Sequence, residues 1–151
     1  MRTAHTLVST ILAVSLAAAV SGCGKTAPPV LPSTMVTGTV TVDGEPATAA
    51  MVKFIPDGNT KGFGGFAVSD ERGQYLVESG GTNGLPEGKY KVVVEGFRPP
   101  EDPILAAKFA SPSGKPTKIP EVYSVPGRSP LTAIVANGGP PIDFKLDSKK
   151  K

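Results

Sequence analysis

The chain of 151 residues contains no Trp, one Cys (Cys23) and one His (His5). A lone Cys excludes an internal disulfide framework and a Cys-rich zinc site. Long hydrophobic runs are scarce. The uncharged stretch Leu7–Val20 is shorter than the roughly 20 apolar residues that cross a bilayer core. A strong excess of charge is also missing, since the formal net charge is only +3. What the chain has in plenty is Gly (18) and Pro (16), together more than a fifth of it. These are the poorest residues for a helix interior, so a mainly helical protein is excluded. The hydrophobic share of 39% still suffices for a core, which excludes wholesale disorder. The length suits one domain.

Residues 1–22 read as an address. Arg2 and the amino terminus precede the apolar run, which ends in Val20-Ser21-Gly22-Cys23. A basic start, an apolar run of this length and small residues at its end make a signal peptide rather than a membrane span. Small residues before a Cys in this setting resemble the lipobox of bacterial lipoproteins. The resemblance implies a diacylglycerol thioether on Cys23, cleavage before it and a further acyl chain on the new amine. It also implies, from Gly24 in place of Asp, sorting to the outer membrane. The physics is consistent, because one acyl chain anchors only marginally and two or more anchor stably. Residues 23–34, with Pro28, Pro29 and Pro32, form a semi-rigid tether.

Two motifs here are discounted. Ala19-x4-Gly24-Lys25-Thr26 matches a relaxed P-loop pattern, but Ala27-Pro28-Pro29 is poor sequence for the helix that a P-loop needs. The tail Lys149-Lys150-Lys151 is expected to be a solvated end. Loss of residues 1–22 removes Arg2 and no acidic residue, leaving a small net charge. No basic patch interleaved with aromatics appears, so nucleic acid is not an expected partner.

The body, residues 35–147, alternates with the period of strands. Val36, Gly38, Val40 and Val42 share one face of Met35–Val42, and Thr37, Thr39 and Thr41 share the other. Asp43-Gly44-Glu45-Pro46 is a turn, because Gly accepts positive φ and Asp bonds its own backbone. Further strands are expected around Val52 and Phe54, over Gly64–Ser69, Gln74–Glu78 and Lys89–Glu95, and over Leu131–Ala136 and Pro141–Leu146. Tyr75 pairs with Val77 on one face, Tyr90 with Val92 and Val94, and Ile142 with Phe144 and Leu146. Between them, Phe97–Pro130 holds 8 of the 16 prolines. Ile104, Leu105 and Phe109 suit a helical turn or an edge segment, and Ile119-Pro120 and Tyr123 suit anchors that pin this long loop to the body. The fold class expected is all-β: seven antiparallel strands in a Greek-key β-sandwich, with a long Pro-rich loop.

The motifs also carry a family resemblance. Val36-x-Gly38-x-Val40-x-Val42-Asp43-Gly44-x-Pro46, Val52-x-Phe54-x-Pro56, Asp70-x-x-Gly73-x-Tyr75 and Gly84-Leu85-Pro86-x-Gly88-x-Tyr90-x-Val92 occur in that order. Together they resemble carboxypeptidase regulatory-like domains, which implies a transthyretin-like (prealbumin-like) sandwich. Ile119-Pro120-x-x-Tyr123-Ser124 and Ser129-Pro130-Leu131-Thr132-Ala133 resemble a subgroup of small bacterial lipoproteins built from one such domain.

Catalytic chemistry finds little support. Beyond residue 22 there is no His, and lipidation would consume the only thiol, so Ser-His-Asp and Cys-His arrangements have no members. Hydroxyisourate hydrolases share the transthyretin fold, but their histidines and Tyr-Arg-Gly-Ser-like terminus are missing here. The carboxylate pairs Asp43 with Glu45, Asp70 with Glu71 and Glu101 with Asp102 lie at turn or loop signals and read as turn formers. Asp57, Asn59 and Asp70 do not make the oxygen-rich run of a calcium loop. Asn59, Asn83 and Asn137 read as turn residues rather than partners in a Lys-Asn crosslink. Tyr75 and Tyr90 are expected to be buried with bonded hydroxyls, and Tyr123 is left as the candidate surface contact. No catalytic residue, cofactor or metal ligand is expected. The expectation is a non-enzymatic envelope lipoprotein that contacts a protein, or alternatively a cell-wall or exported polysaccharide.

Overall fold

The computed structural model describes residues 31–98, 101 and 116–150. It is mostly β, with two sheets. Among the described residues ten strands occur in chain order, with one helical turn between the eighth and ninth. They are β1 (Thr37–Val42), β2 (Glu45–Pro46), β3 (Ala50–Pro56), β4 (Gly65–Val68) and β5 (Gln74–Leu76). Then follow β6 (Glu78–Ser79), β7 (Thr82–Asn83), β8 (Gly88–Gly96), α1 (Glu121–Ser124), β9 (Thr132–Val135) and β10 (Phe144–Leu146).

The smaller sheet is built on β1. The alternation of the backbone divides its hydrogen bonds between two edges. Even-numbered residues face one edge, where Val40 donates to the Gly73 carbonyl and accepts from the Ala47 amide. There β5 pairs along Thr37–Thr39, and β2 pairs along Thr41–Val42. Odd-numbered residues face the other edge, where Ile142 donates to Thr37 and Asp43 donates to Leu146. The larger sheet has the order β7-β6-β4-β3-β8-β9 and is antiparallel throughout.

Two features depart from the expected seven antiparallel strands. The count is ten, because three two-residue strands, β2, β6 and β7, form at turns that sequence alternation cannot register. The pairing of β1 with β10 is parallel, with Val40 opposite Phe144 and Val42 opposite Leu146. A hairpin cannot make such a pair; it needs a long crossover, which here runs through the entire larger sheet.

The turn between β1 and β2 is written in its sequence. Asp43 and Gly44 both have positive φ (52° and 89°), the geometry of a two-residue hairpin turn whose twist matches that of the strands. The entry to β3 is less regular. Ala49 is held at φ 51°, a left-handed conformation unusual for Ala. Buried Ser69 fixes this bend. Its hydroxyl donates to the Ala47 carbonyl and accepts from the Ala50 amide, and its backbone bonds Ala49 and Ala50. Buried Ser129 does a similar service, donating to the Val92 carbonyl.

One hydrophobic core serves both sheets. Val36 and Val40 meet Val52, Phe54, Val77, Leu85, Tyr90, Val92 and Val94, with Phe144 and Leu146 beside them. Phe54 stands among the aromatic rings, its centroid 6.1–6.3 Å from those of Tyr75, Tyr90 and Phe144. These are the spacings at which tilted and edge-on rings attract. The alternating faces expected for β1, β5, β8 and β10 are the ones that point into this core. Val93 is buried as well, on the opposite face of β8.

Of the Pro-rich stretch, residues 97, 98, 101 and 116–130 are described. Thr117 pairs with Thr48 through both backbone and side chain, which ties the returning chain to the entry of β3. The turn α1 then packs against β8, and Val122 and Tyr123 enter the core. The expected helical turn around Ile104, Leu105 and Phe109 lies outside the described residues.

Candidate functional site

Tyr123 is not a surface contact. Only 3% of it is exposed, and its hydroxyl accepts from the Asp147 amide at 3.1 Å, just past the end of β10. The ring thus links α1 to the smaller sheet. Extended segments on either side, Pro120 and Val125, confine the helix to one turn and fix which way Tyr123 points. As an anchor of the loop it does what the sequence suggests, together with half-buried Ile119.

Tyr75 and Tyr90 are buried with bonded hydroxyls, as expected. Tyr90 donates to the Pro86 carbonyl at 2.8 Å, and Tyr75 donates to the Ile142 carbonyl. Burial pushes both phenols above the ordinary tyrosine range, strongly for Tyr75, where the Asp143 carboxylate adds to the effect. Cys23 lies outside the described residues.

Two of the turn carboxylates, Asp70 and Asp43, hold backbone amides. Asp70 accepts from the Arg72 and Gln74 amides. Asp43 accepts from the Ser148 amide; its hydrogen bonds with Ser148, aided by Lys149, hold its carboxyl below the usual range. Asp143 accepts from both the amide and the hydroxyl of Thr39. Among the described residues, no three His, Cys, Asp or Glu side chains come together as metal ligands. Nor is any helix among them long and apolar enough to cross a membrane.

The exposed apolar surface lies elsewhere. On the larger sheet, a groove of about 480 Å³ is lined by Met51, Phe63, Gly64, Gly65, Phe66 and Phe97, with polar side chains around it. Phe63 is 93% exposed. Its position follows from the backbone behind it. Gly64 has φ 74°, and a Cβ there would lie 2.1 Å from the Phe54 carbonyl oxygen. Only Gly lets the chain lie so close to β3. Phe66 shows outward because Ala67, its neighbour on β4, fills the inward position. At the rim, Lys53 pairs with Glu95.

Sequence reasoning missed this groove. Phe63 belongs to no alternating run, so its exposure could not be read from a strand pattern. The available signal was an aromatic ring set between Gly62 and the Gly64-Gly65 pair. A large apolar side chain in so flexible a setting has little to bury it.

A second surface is the free margin of β9. Among the described residues this strand pairs with β8 alone, from Gly88 opposite Val135 to Lys91 opposite Thr132. Ile134 is 72% exposed on it.

Comparison with protein-family models, with curated proteins and with solved structures finds no match to this chain.

Proposed function

We propose that the chain is a membrane-anchored envelope lipoprotein whose single domain is a non-enzymatic interaction module. The anchor in this reading is Cys23, lipidated after loss of residues 1–22 and placed at the outer membrane. The domain is a one-domain member of the carboxypeptidase regulatory-like group, its two sheets forming a transthyretin-like sandwich. The lipobox-like Val20-Ser21-Gly22-Cys23 supports the anchor, and the tether rich in Pro supports display away from the bilayer.

The observation that carries the interaction reading is Phe63. An almost fully exposed aromatic ring, next to Phe66 over an apolar groove, is surface that water disfavours and a partner covers. The partner in this reading is another envelope protein. A second reading, a carbohydrate chain, is favoured by the same rings having Lys53, Glu78 and Arg98 close by, since sugars stack on aromatics and bond polar rims.

The test is a photoreactive phenylalanine analogue at position 63 of the full chain in cells. A discrete protein adduct is expected, absent when the analogue replaces Arg72, which is exposed in the turn leading into β5. Adducts recovered only with wall polysaccharide would favour the second reading. Equal adducts at both positions would contradict a specific groove.

A further inference from the structure

At β9 the larger sheet ends in a strand whose outer backbone groups no described strand pairs. The Val92 amide donates to the Leu131 carbonyl at 3.0 Å. In an antiparallel ladder, pairs that exchange backbone bonds alternate with pairs that do not. Ala133 and Val135 therefore turn their amide and carbonyl toward β8. Thr132 and Ile134 turn theirs away, and among the described residues these groups meet no backbone partner.

Sheet edges are guarded by shortness, by a covering loop, or by a charge, a Pro or a bulge within the strand. β9 is short, four residues, and Thr34–Val36 approach it near Ile134, but the strand itself has no charge, Pro or bulge. Thr132-Ala133-Ile134-Val135 is uncharged, and its register with β8 is one-to-one without a bulge. Its one large outward side chain, Ile134, is exposed.

Charge says what kind of strand fits. Directly across from Ile134 and Thr132, on the same outer face, stand Lys89 and Lys91 of β8. Neither lysine has an ion-pair partner among the described residues, whereas Lys53 and Arg128 do. The two are spaced by two residues, the repeat of one face of a strand. A strand added beyond β9 would lie roughly 10 Å from β8, two strand spacings away. Lys91 can reach a carboxylate across that gap over the short Thr132, and Lys89 can do so only past the exposed side chain of Ile134.

We propose that β9 binds an extended acidic peptide segment by strand addition, with carboxylates at alternate positions meeting Lys89 and Lys91. Backbone bonds to Thr132 and Ile134 supply the pairing, and the lysines select the charge. The site lies at the opposite side of β3 from the Phe63 groove and is independent of it.

The test uses amide hydrogen exchange on the full chain in detergent, with a synthetic peptide of about eight residues alternating Glu and Val, the length of an ordinary strand. Without peptide, Thr132 and Ile134 exchange freely while Ala133 and Val135 are protected. The Glu peptide is expected to protect Thr132 and Ile134, and a Lys-for-Glu version is not. Ile134→Pro removes the outward amide and the exposed Ile side chain but no bond to β8, so Ala133 and Val135 keep their protection while binding is lost. Should Ile134→Pro disturb the strand, Lys89→Glu with Lys91→Glu is the second variant, expected to weaken the Glu peptide by about fivefold or more. No protection by the Glu peptide, or equal protection by the Lys peptide, overturns the proposal. So does protection of Thr132 and Ile134 in a peptide-free dimer, which would place a second copy on the edge. A Phe63→Ala chain that still binds the peptide separates this site from the groove.

Discussion

Tyr75 donates its hydroxyl to the carbonyl of Ile142, passing directly over Gly38. The three residues come from β5, the approach to β10, and β1 between them. A Cβ on Gly38 would stand 1.9 Å from the Ile142 oxygen and 2.9 Å from the Tyr75 hydroxyl. Gly38→Ala is therefore expected to destabilise by about 3 kcal/mol, the upper part of the range for overpacked cores. Tyr75→Phe, which only removes the bond, is expected to cost about 1–2 kcal/mol. Urea unfolding midpoints would order the two, with Gly38→Ala the lower. A milder effect of Gly38→Ala than of Tyr75→Phe would contradict this packing.

The same phenol makes stability depend on pH. Tyr75 and Tyr90 hold their protons more tightly in the folded chain than in the unfolded one, because burial disfavours the phenolate. Their contribution is complete below the unfolded tyrosine pKa of about 10 and declines as pH rises above it. Thermal unfolding between pH 8 and 11 is expected to show a falling midpoint in the alkaline half. In Tyr75→Phe the fall is expected to be shallower. An identical alkaline slope in both chains would contradict the assignment.

Ser69 tests the bend at Ala49. Its hydroxyl serves both the Ala47 carbonyl and the Ala50 amide, and the site is fully buried. Ser69→Ala leaves both groups without that partner, at a cost of about 1–3 kcal/mol. Ser69→Thr keeps the hydroxyl but adds a methyl to a packed site, and is expected to fall between. Denaturant titration of the two variants checks the order.

Much of the fold was legible, and the reasons are physical. Val36, Val40, Tyr90, Val92, Val94, Phe144 and Leu146 obey a period of two because each strand presents one face to a shared core. Asp43-Gly44 was legible because its turn needs positive φ twice in succession. The two-residue strands were not, since so short a run has no period. The parallel neighbour of β1 was not, since pairing direction depends on the path of distant chain. Ser69 and Ser129 were missed because a buried serine looks like any loop serine until the backbone groups it satisfies are placed. Tyr123 was legible as an anchor but not as a buried one, because its cover comes from β8 and β10, remote in sequence. Phe63 was invisible for the opposite reason: nothing local covers it.

Phe63 also gives a prediction about the surface itself. Because 93% of the residue is already exposed, Phe63→Ala removes little buried area. Its effect on stability is expected within about 0.5 kcal/mol, as for other surface changes. Binding to whatever fills the groove is expected to fall sharply in the same variant. A large loss of stability would mean that the ring packs in solution and is no contact surface. Phe54→Ala is the contrast, expected to cost about 3–5 kcal/mol as a core aromatic.

The central claim is an anchored display module, and the mass of the chain recovered from membranes tests it most directly. Intact-protein mass spectrometry is predicted to show loss of residues 1–22 and an N-terminal Cys23 carrying a diacylglycerol thioether and an amide-linked acyl chain. Cys23→Ser is predicted to remain a full-length, unacylated precursor. A chain that retains Met1, or that is cut elsewhere and carries an unmodified Cys23, would contradict the account.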